Sequence, residues 1–129
     1  MWAWGGRAWW ACVVGLFYAW GMSERLAKLQ KLLALDEGDV FVLYGLAQEY
    51  GKVGEYAQAV GFYDRALAVD PGYCYAYYHK ARAQQGAGDI AAARATVQAG
   101  VQAAHRVGDG KALGELSTLQ VELAEQDGR

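Results

Sequence analysis

Along most of this chain, apolar residues recur three and four positions apart, the period that lines one face of a helix. Leu26, Leu29, Leu32 and Leu33 form one such stripe between Ser23 and Leu35. Leu43, Leu46, Ala47 and Tyr50 form a second, and Ala59, Tyr63 and Ala66 a third. Tyr77 with Ala81, and Ala93 with Val97, carry the pattern on, and Leu113, Leu116, Leu119 and Leu123 make a last stripe among acidic and polar residues. Turn residues separate the stripes: Asp36-Glu37-Gly38-Asp39, Gly54-Glu55, Pro71, Gly88-Asp89 and Gly108-Asp109. The only proline, Pro71, falls in one of these breaks, and the abundance of alanine favours helix elsewhere. The pattern therefore predicts an all-α chain of about six helices of about 12–17 residues joined by short turns.

The chain before Met22 follows no such pattern. All five tryptophans lie there, at Trp2, Trp4, Trp9, Trp10 and Trp20. The break divides the chain into an apolar leader, residues 1–21, and a helical domain, residues 22–129. Four readings of the leader stand open. As a membrane anchor, the apolar run from Ala8 to Gly21 is shorter than the ~20 residues a span requires. As a secretory signal, it has Arg7 ahead of the run and small Ala19 and Gly21 near a cleavage point. As an over-extended start, it precedes the natural first residue, Met22, with Ser23 placed to cap the first helix. The fourth is a packed structural segment. The leader decides the expected location: cytoplasmic if it is not natural, membrane-anchored or exported if it is.

Compared with itself at an offset of 34 residues, the chain matches at small and turn positions. Ala47 falls on Ala81, Gly54 on Gly88, Glu55 on Asp89 and Ala59 on Ala93. Closely packed helices need alanine where their backbones approach. The turn needs a glycine able to take positive φ, and the acidic residue after it caps or charges the next helix. Leu46 on Lys80 and Val60 on Arg94 do not match, so a looser second pair is predicted.

With these residues the chain resembles the tetratricopeptide repeat family. Leu43, Leu46, Ala47 and Tyr50 take the family's large, large, small and aromatic places in a first helix. Ala59, Tyr63, Ala66 and Pro71 take those of the second helix and the closing turn. Tyr77, Ala81, Ala93 and Val97 keep the pattern in the next copy, while Lys80, Gln84, Gly100 and His105 depart from it. Ser23 to Leu35 looks like an orphan second helix, followed by an inter-unit turn without its proline, and Asp109 to Gln126 like a solvating end helix. The resemblance implies an α–α superhelix of stacked helix pairs with the first helix of each pair on a concave side. It further implies that Phe41, Tyr44 and Gln48, then Tyr75, Tyr78 and Arg82, face a protein or peptide partner there. Helical spacing independently puts Tyr75, Tyr78 and Arg82 on one face. Some relatives clamp a terminal carboxylate with lysine and asparagine. Here Tyr44 with Gln48, and Tyr78 with Arg82, hold those places, so that specificity is not expected.

Charge and chemistry narrow the picture further. The net charge of −2 comes with twelve scattered Lys and Arg, and no basic cluster that would displace counterions from a nucleic acid. No glycine-rich loop ends in Lys-Ser or Lys-Thr, and no serine or threonine lies near a histidine in sequence. Cys74, His79 and His105 lack metal-ligand spacing and read as a half-buried thiol and two surface imidazoles. Cys12 and Cys74 make no disulfide framework. A non-enzymatic adaptor without metal or cofactor is therefore expected. The alternative is a scaffold that self-associates, in its simplest form a homodimer, through the leucine faces of its end helices.

Overall fold

The computed structural model describes residues 24–128, and the leader, Cys12 and the Ser23 cap lie outside them. Six helices follow one another: α1 (24–35), α2 (Val40–Lys52), α3 (Tyr56–Val69), α4 (Cys74–Gly86), α5 (Ile90–Val107) and α6 (Gly110–Asp127). Each packs against the next, α2 on α3, α3 on α4, α4 on α5 and α5 on α6. The first helices also touch along one side, α2 with α4 and α4 with α6. This is the α–α superhelix the repeat implies.

The turns show the repeat at atomic detail. Gly54 and Gly88 take φ of 82° and 84°, a left-handed conformation that lets the amides of Glu55 and Asp89 bond back to the carbonyls of Tyr50 and Gln84 at 3.0 and 2.9 Å. Asp36 Oδ1 accepts from the Gly38 amide at 3.0 Å, and Asp70 Oδ1 from the Gly72 amide at 3.1 Å. The inter-unit turn thus forms without proline. Asp39, Asp89 and Asp109 cap their helices through the side chain, whereas Glu55 makes no such bond. Of the two roles foreseen for the residue after the glycine, Glu55 can supply only charge.

Alanines sit where helices meet: Ala47, Ala59, Ala66, Ala76, Ala81 and Ala93 are all fully buried. α4 serves two clusters at once. Ala76 and Ala83 pack with Ala47, Ala59 and Tyr63 on one side, while Cys74 and Ala81 pack with Ala93, Val97 and the α6 leucines on the other. Cys74 is completely buried rather than half-buried, because it opens α4 on its inward face.

The second helix pair is not loose. Two departures from the pattern are answered by a change at the facing position. Tyr50 stacks on Phe62 with centroids 5.4 Å apart, and 34 residues on, Gln84 accepts a hydrogen bond from Thr96 at 2.6 Å. Tyr77 replaces Leu43, and Gly100 replaces Ala66, so that a Cβ at Gly100 would lie 2.7 Å from the Tyr77 Cβ. Lys80, in the place of buried Leu46, reaches Asp64 of α3 at 2.6 Å. His105 stands where Pro71 closes the first copy, so α5 runs on to Val107 and ends at Gly108 with φ 73°.

Candidate functional site

Side chains that matched only in type along the sequence form matching pairs in space. In α2, Gln48 Nε2 donates to the Tyr44 hydroxyl at 3.2 Å. In α4, 34 residues later, Arg82 donates to the Tyr78 hydroxyl from Nε at 3.4 Å and from Nη2 at 3.2 Å. Both bonds join residues four apart, so α2 and α4 carry the same tyrosine–donor motif at equivalent places.

Between them opens a cleft of about 300 Å³. It is lined by Gln48, Gly51 and Lys52 of α2, Tyr56 and Tyr63 of α3, and His79, Arg82 and Ala83 of α4. Tyr44 packs edge-on against two of the lining rings, Tyr63 at 5.8 Å and His79 at 5.7 Å, and against Tyr73 at 5.1 Å. His79 also meets Tyr78 edge-on at 5.2 Å. Edge-to-face contacts of this kind hold aromatic rings in fixed orientations. The result is a rigid aromatic floor with nitrogen donors along its rim.

The electrostatics follow from this packing. Burial, helped by the neighbouring Tyr73 and Tyr75 phenols, pushes the Tyr44 hydroxyl up to about 12, and burial raises Tyr63 as well. These phenols therefore act as neutral hydrogen-bonding groups. Burial also pulls the His79 imidazole below its ordinary value, with Glu115 working in the other direction. Burial opposes the Arg82 charge, but hydrogen bonds to Tyr78 and Glu122 outweigh it and raise the guanidinium. Arg82 Nη1 reaches Gln85 Oε1 at 2.9 Å and Glu122 of α6 at 3.1 Å. Lys52 is held by Glu49 at 3.1 Å, and Arg25 of α1 approaches the same carboxylate at 3.4 Å.

Of the six residues read from the sequence, Gln48 and Arg82 line the cleft. Tyr44 and Tyr78 stand behind them as hydrogen-bond acceptors. Tyr75 lies near Tyr44 but also packs on the C-terminal core, and Phe41 is 78% exposed at the start of α2, away from the cleft-lining end of that helix. Four residues were missed. His79 is half-buried rather than on the open surface: it falls between Ala76 and Ala83 on the α4 face turned to α3, and those two alanines were the signal that this face packs inward. Tyr63 was read only as core. Tyr56 reaches the cleft because Gly86 leaves room for it, since a Cβ there would lie 2.7 Å from the tyrosine ring. Lys52, the last residue of α2, carried no sequence signal. Among the described residues, no group of three or more His, Cys, Asp or Glu is placed to hold a metal, and no helix is long and apolar enough to cross a membrane.

Stacked helix pairs closed by positive-φ glycines, with small residues at every crossing, define a helical repeat protein. Residues 40–73 match the tetratricopeptide repeat. The chain is 30% identical over 91 residues to the TPR repeat-containing protein PA0015 of Pseudomonas aeruginosa, covering 70% of this chain and 87% of that one. It belongs to the tetratricopeptide repeat family. Among solved structures it is similar to protein BPP2914 of Bordetella parapertussis, with a TM-score of 0.70, 28% identity, and 79% and 89% of the two chains covered. It also superposes on the TPR2B domain of yeast Sti1 in complex with pHsp70, with a TM-score of 0.76, 21% identity, and 85% and 88% covered.

Proposed function

We propose that this protein is a non-catalytic adaptor that holds a peptide or protein segment in its concave groove, across α2 and α4. The repeated tyrosine–donor pair beside an aromatic-floored cleft carries the reading. Rigid aromatic rings provide contact area at small entropy cost, and Gln48, Lys52 and Arg82 offer donors, the latter two oriented by Glu49 and Glu122. The ligand this suits is an extended segment bearing carbonyl or carboxylate acceptors, with an apolar side chain entering over Tyr56 and Tyr63. The Sti1 domain, which shares the fold, is itself seen with pHsp70 bound.

The test is capture of a partner by the full chain, identification by mass spectrometry, and calorimetric titration of Tyr44→Ala, Tyr78→Ala and Arg82→Ala. Anchors of this kind lose about 2 kcal/mol, roughly thirtyfold in Kd. Gln98→Ala, exposed on α5, should bind as the parent does. All variants must first melt like the parent, since Arg82 also pairs with Glu122. Normal binding by the three groove variants, with loss in the α5 control, would move the site to the convex face.

A further inference from the structure

The wall of the groove contains a group that titrates near neutral pH. His79 lines it between Lys52 of α2 and Arg82 of α4, and no carboxylate shares the lining. The imidazole meets Tyr44 of α2 edge-on at 5.7 Å, Tyr63 of α3 stacked at 6.5 Å, and Tyr78 of its own helix edge-on at 5.2 Å. These three rings fix its orientation. They do not fix its charge, since none of them is an ion at neutral pH. Among the described residues no buried side-chain polar atom lacks a partner, and no hydrogen bond there ties either nitrogen of His79. The nitrogens are therefore left to whatever enters the groove.

The charges around the ring come from three helices. Burial is the largest influence and disfavours the imidazolium; Glu115 of α6 favours it, and Arg82 of α4 opposes it. The outcome is an imidazole below its ordinary value, neutral at pH 7 in the protein alone. Lys80, its chain neighbour, is paired with Asp64 of α3 at 2.6 Å. On α2, Glu49 serves both Lys52 at 3.1 Å and Arg25 at 3.4 Å, so that cluster keeps a net positive charge.

A ligand shifts this balance in a direction set by its own charge. A carboxylate within about 4–6 Å favours the protonated ring, which donates from both nitrogens where the neutral ring donates from one. An apolar or cationic ligand does the reverse, by deepening burial or adding a like charge. Lys52 and Arg82 flank the ring, and no carboxylate of the lining repels an anion. The lining selects the first case.

We propose that binding in this groove is proton-linked: an acidic segment enters with a carboxylate beside His79, and the imidazole takes up a proton from solvent. This rests on the groove being the partner site, and adds to it a class of ligand and a pH dependence. The complex holds more protons than its separated parts, so binding strengthens as pH falls. One proton limits the gain to about tenfold per pH step of one.

The probe is an array of nonapeptides with amidated ends, each carrying one apolar residue flanked by Asp. Matched copies carry Asn instead, and a third set carries Asn with a free terminal carboxylate. The full chain is applied at pH 7.5 and at pH 5.5, where Asp remains ionised. Peptides with Asp, or with a free end if that is the source of the carboxylate, should bind about tenfold tighter at the lower pH. Amidated Asn peptides should not. Calorimetry of the tightest binder at pH 6.5, in phosphate and in Bis-Tris, compares buffers of unequal ionisation heat and should show net proton uptake. His79→Gln, melting like the parent at both pH values, should lose the uptake and the pH dependence at whatever affinity remains. The two-buffer comparison needs only the parent, so it decides the matter even where that variant folds poorly. Binding that is lost in Arg82→Ala, yet proceeds without proton uptake or weakens at pH 5.5, overturns the proposal and leaves the groove as the partner site. An array without any binder that depends on Arg82 overturns both.

Discussion

Gly100 and Gly61 are both glycines inside helices, yet opposite responses to the same substitution are expected. A methyl group at Gly100 would lie 2.7 Å from the Tyr77 Cβ and 3.0 Å from Leu116 Cδ2, and neither neighbour can withdraw from the core. Gly100→Ala should therefore cost about 1–3 kcal/mol through overpacking, despite the better helix propensity of alanine. At Gly61 nothing lies within 4 Å of the added methyl. Gly61→Ala should stabilise by about 0.4–1 kcal/mol, since only the unfolded chain loses freedom. Urea denaturation of the two variants beside the parent decides it, and two shifts of one sign would contradict the packing described. His79 gives a pH dependence. Its folded-state pKa lies below the ordinary 6.5, so the unfolded chain takes up the proton first as pH falls. The contribution is fully present above about pH 6.5, is lost progressively below it, and levels off under the folded-state value. His79→Gln should flatten stability measured between pH 7.5 and 5.5, and an unchanged slope would contradict the burial described.

At the level of the helix, the caps differ although their sequence positions correspond. Asp89 Oδ1 accepts from the Ala92 amide at 3.1 Å and Asp109 Oδ1 from the Ala112 amide at 3.0 Å, but the longer Glu55 makes no such bond. Asp89→Ala and Asp109→Ala should each lower stability by about 1 kcal/mol, and Glu55→Ala by much less. Thermal melts of the three variants would show an equal loss at Glu55 if the caps were equivalent. Helix pairing has its own test. Ala59 and Ala93 are both fully buried at corresponding crossings, so leucine at either should overpack by about 1–3 kcal/mol. The looser second copy expected from Lys80 and Gln84 would make Ala93→Leu the milder change. The observed Gln84–Thr96 bond and the close approach of Gly100 to Tyr77 instead predict similar losses.

Across the whole molecule, α4 joins two apolar clusters through opposite faces, one shared with α2 and α3, the other with α5 and α6. In such arrays stability is passed between neighbours rather than spread evenly. Hydrogen exchange on Ala59→Leu should show α2 and α3 losing most protection, α4 less, and α6 least. Uniform loss across all six helices would mean a single undivided core. The groove depends on the same arrangement, because its rim comes from α2 and α4 and its floor from α3.

The helices, their turns and the repeat were legible in the sequence, because each depends on local rules: helical spacing, glycine at positive φ, and alanine at close crossings. The all-α superhelix and the family followed from them. The twin Tyr44–Gln48 and Tyr78–Arg82 pairs were legible in part, since residues four apart on a helix share a face. What lies across a helix boundary was not. Tyr56 and Tyr63 join the groove from α3, Glu122 reaches Arg82 from forty residues away, and His79 meets rings from two other helices. Periodicity says which face of one helix is apolar. Which faces meet, and which charges they bring together, is decided only when the helices stack.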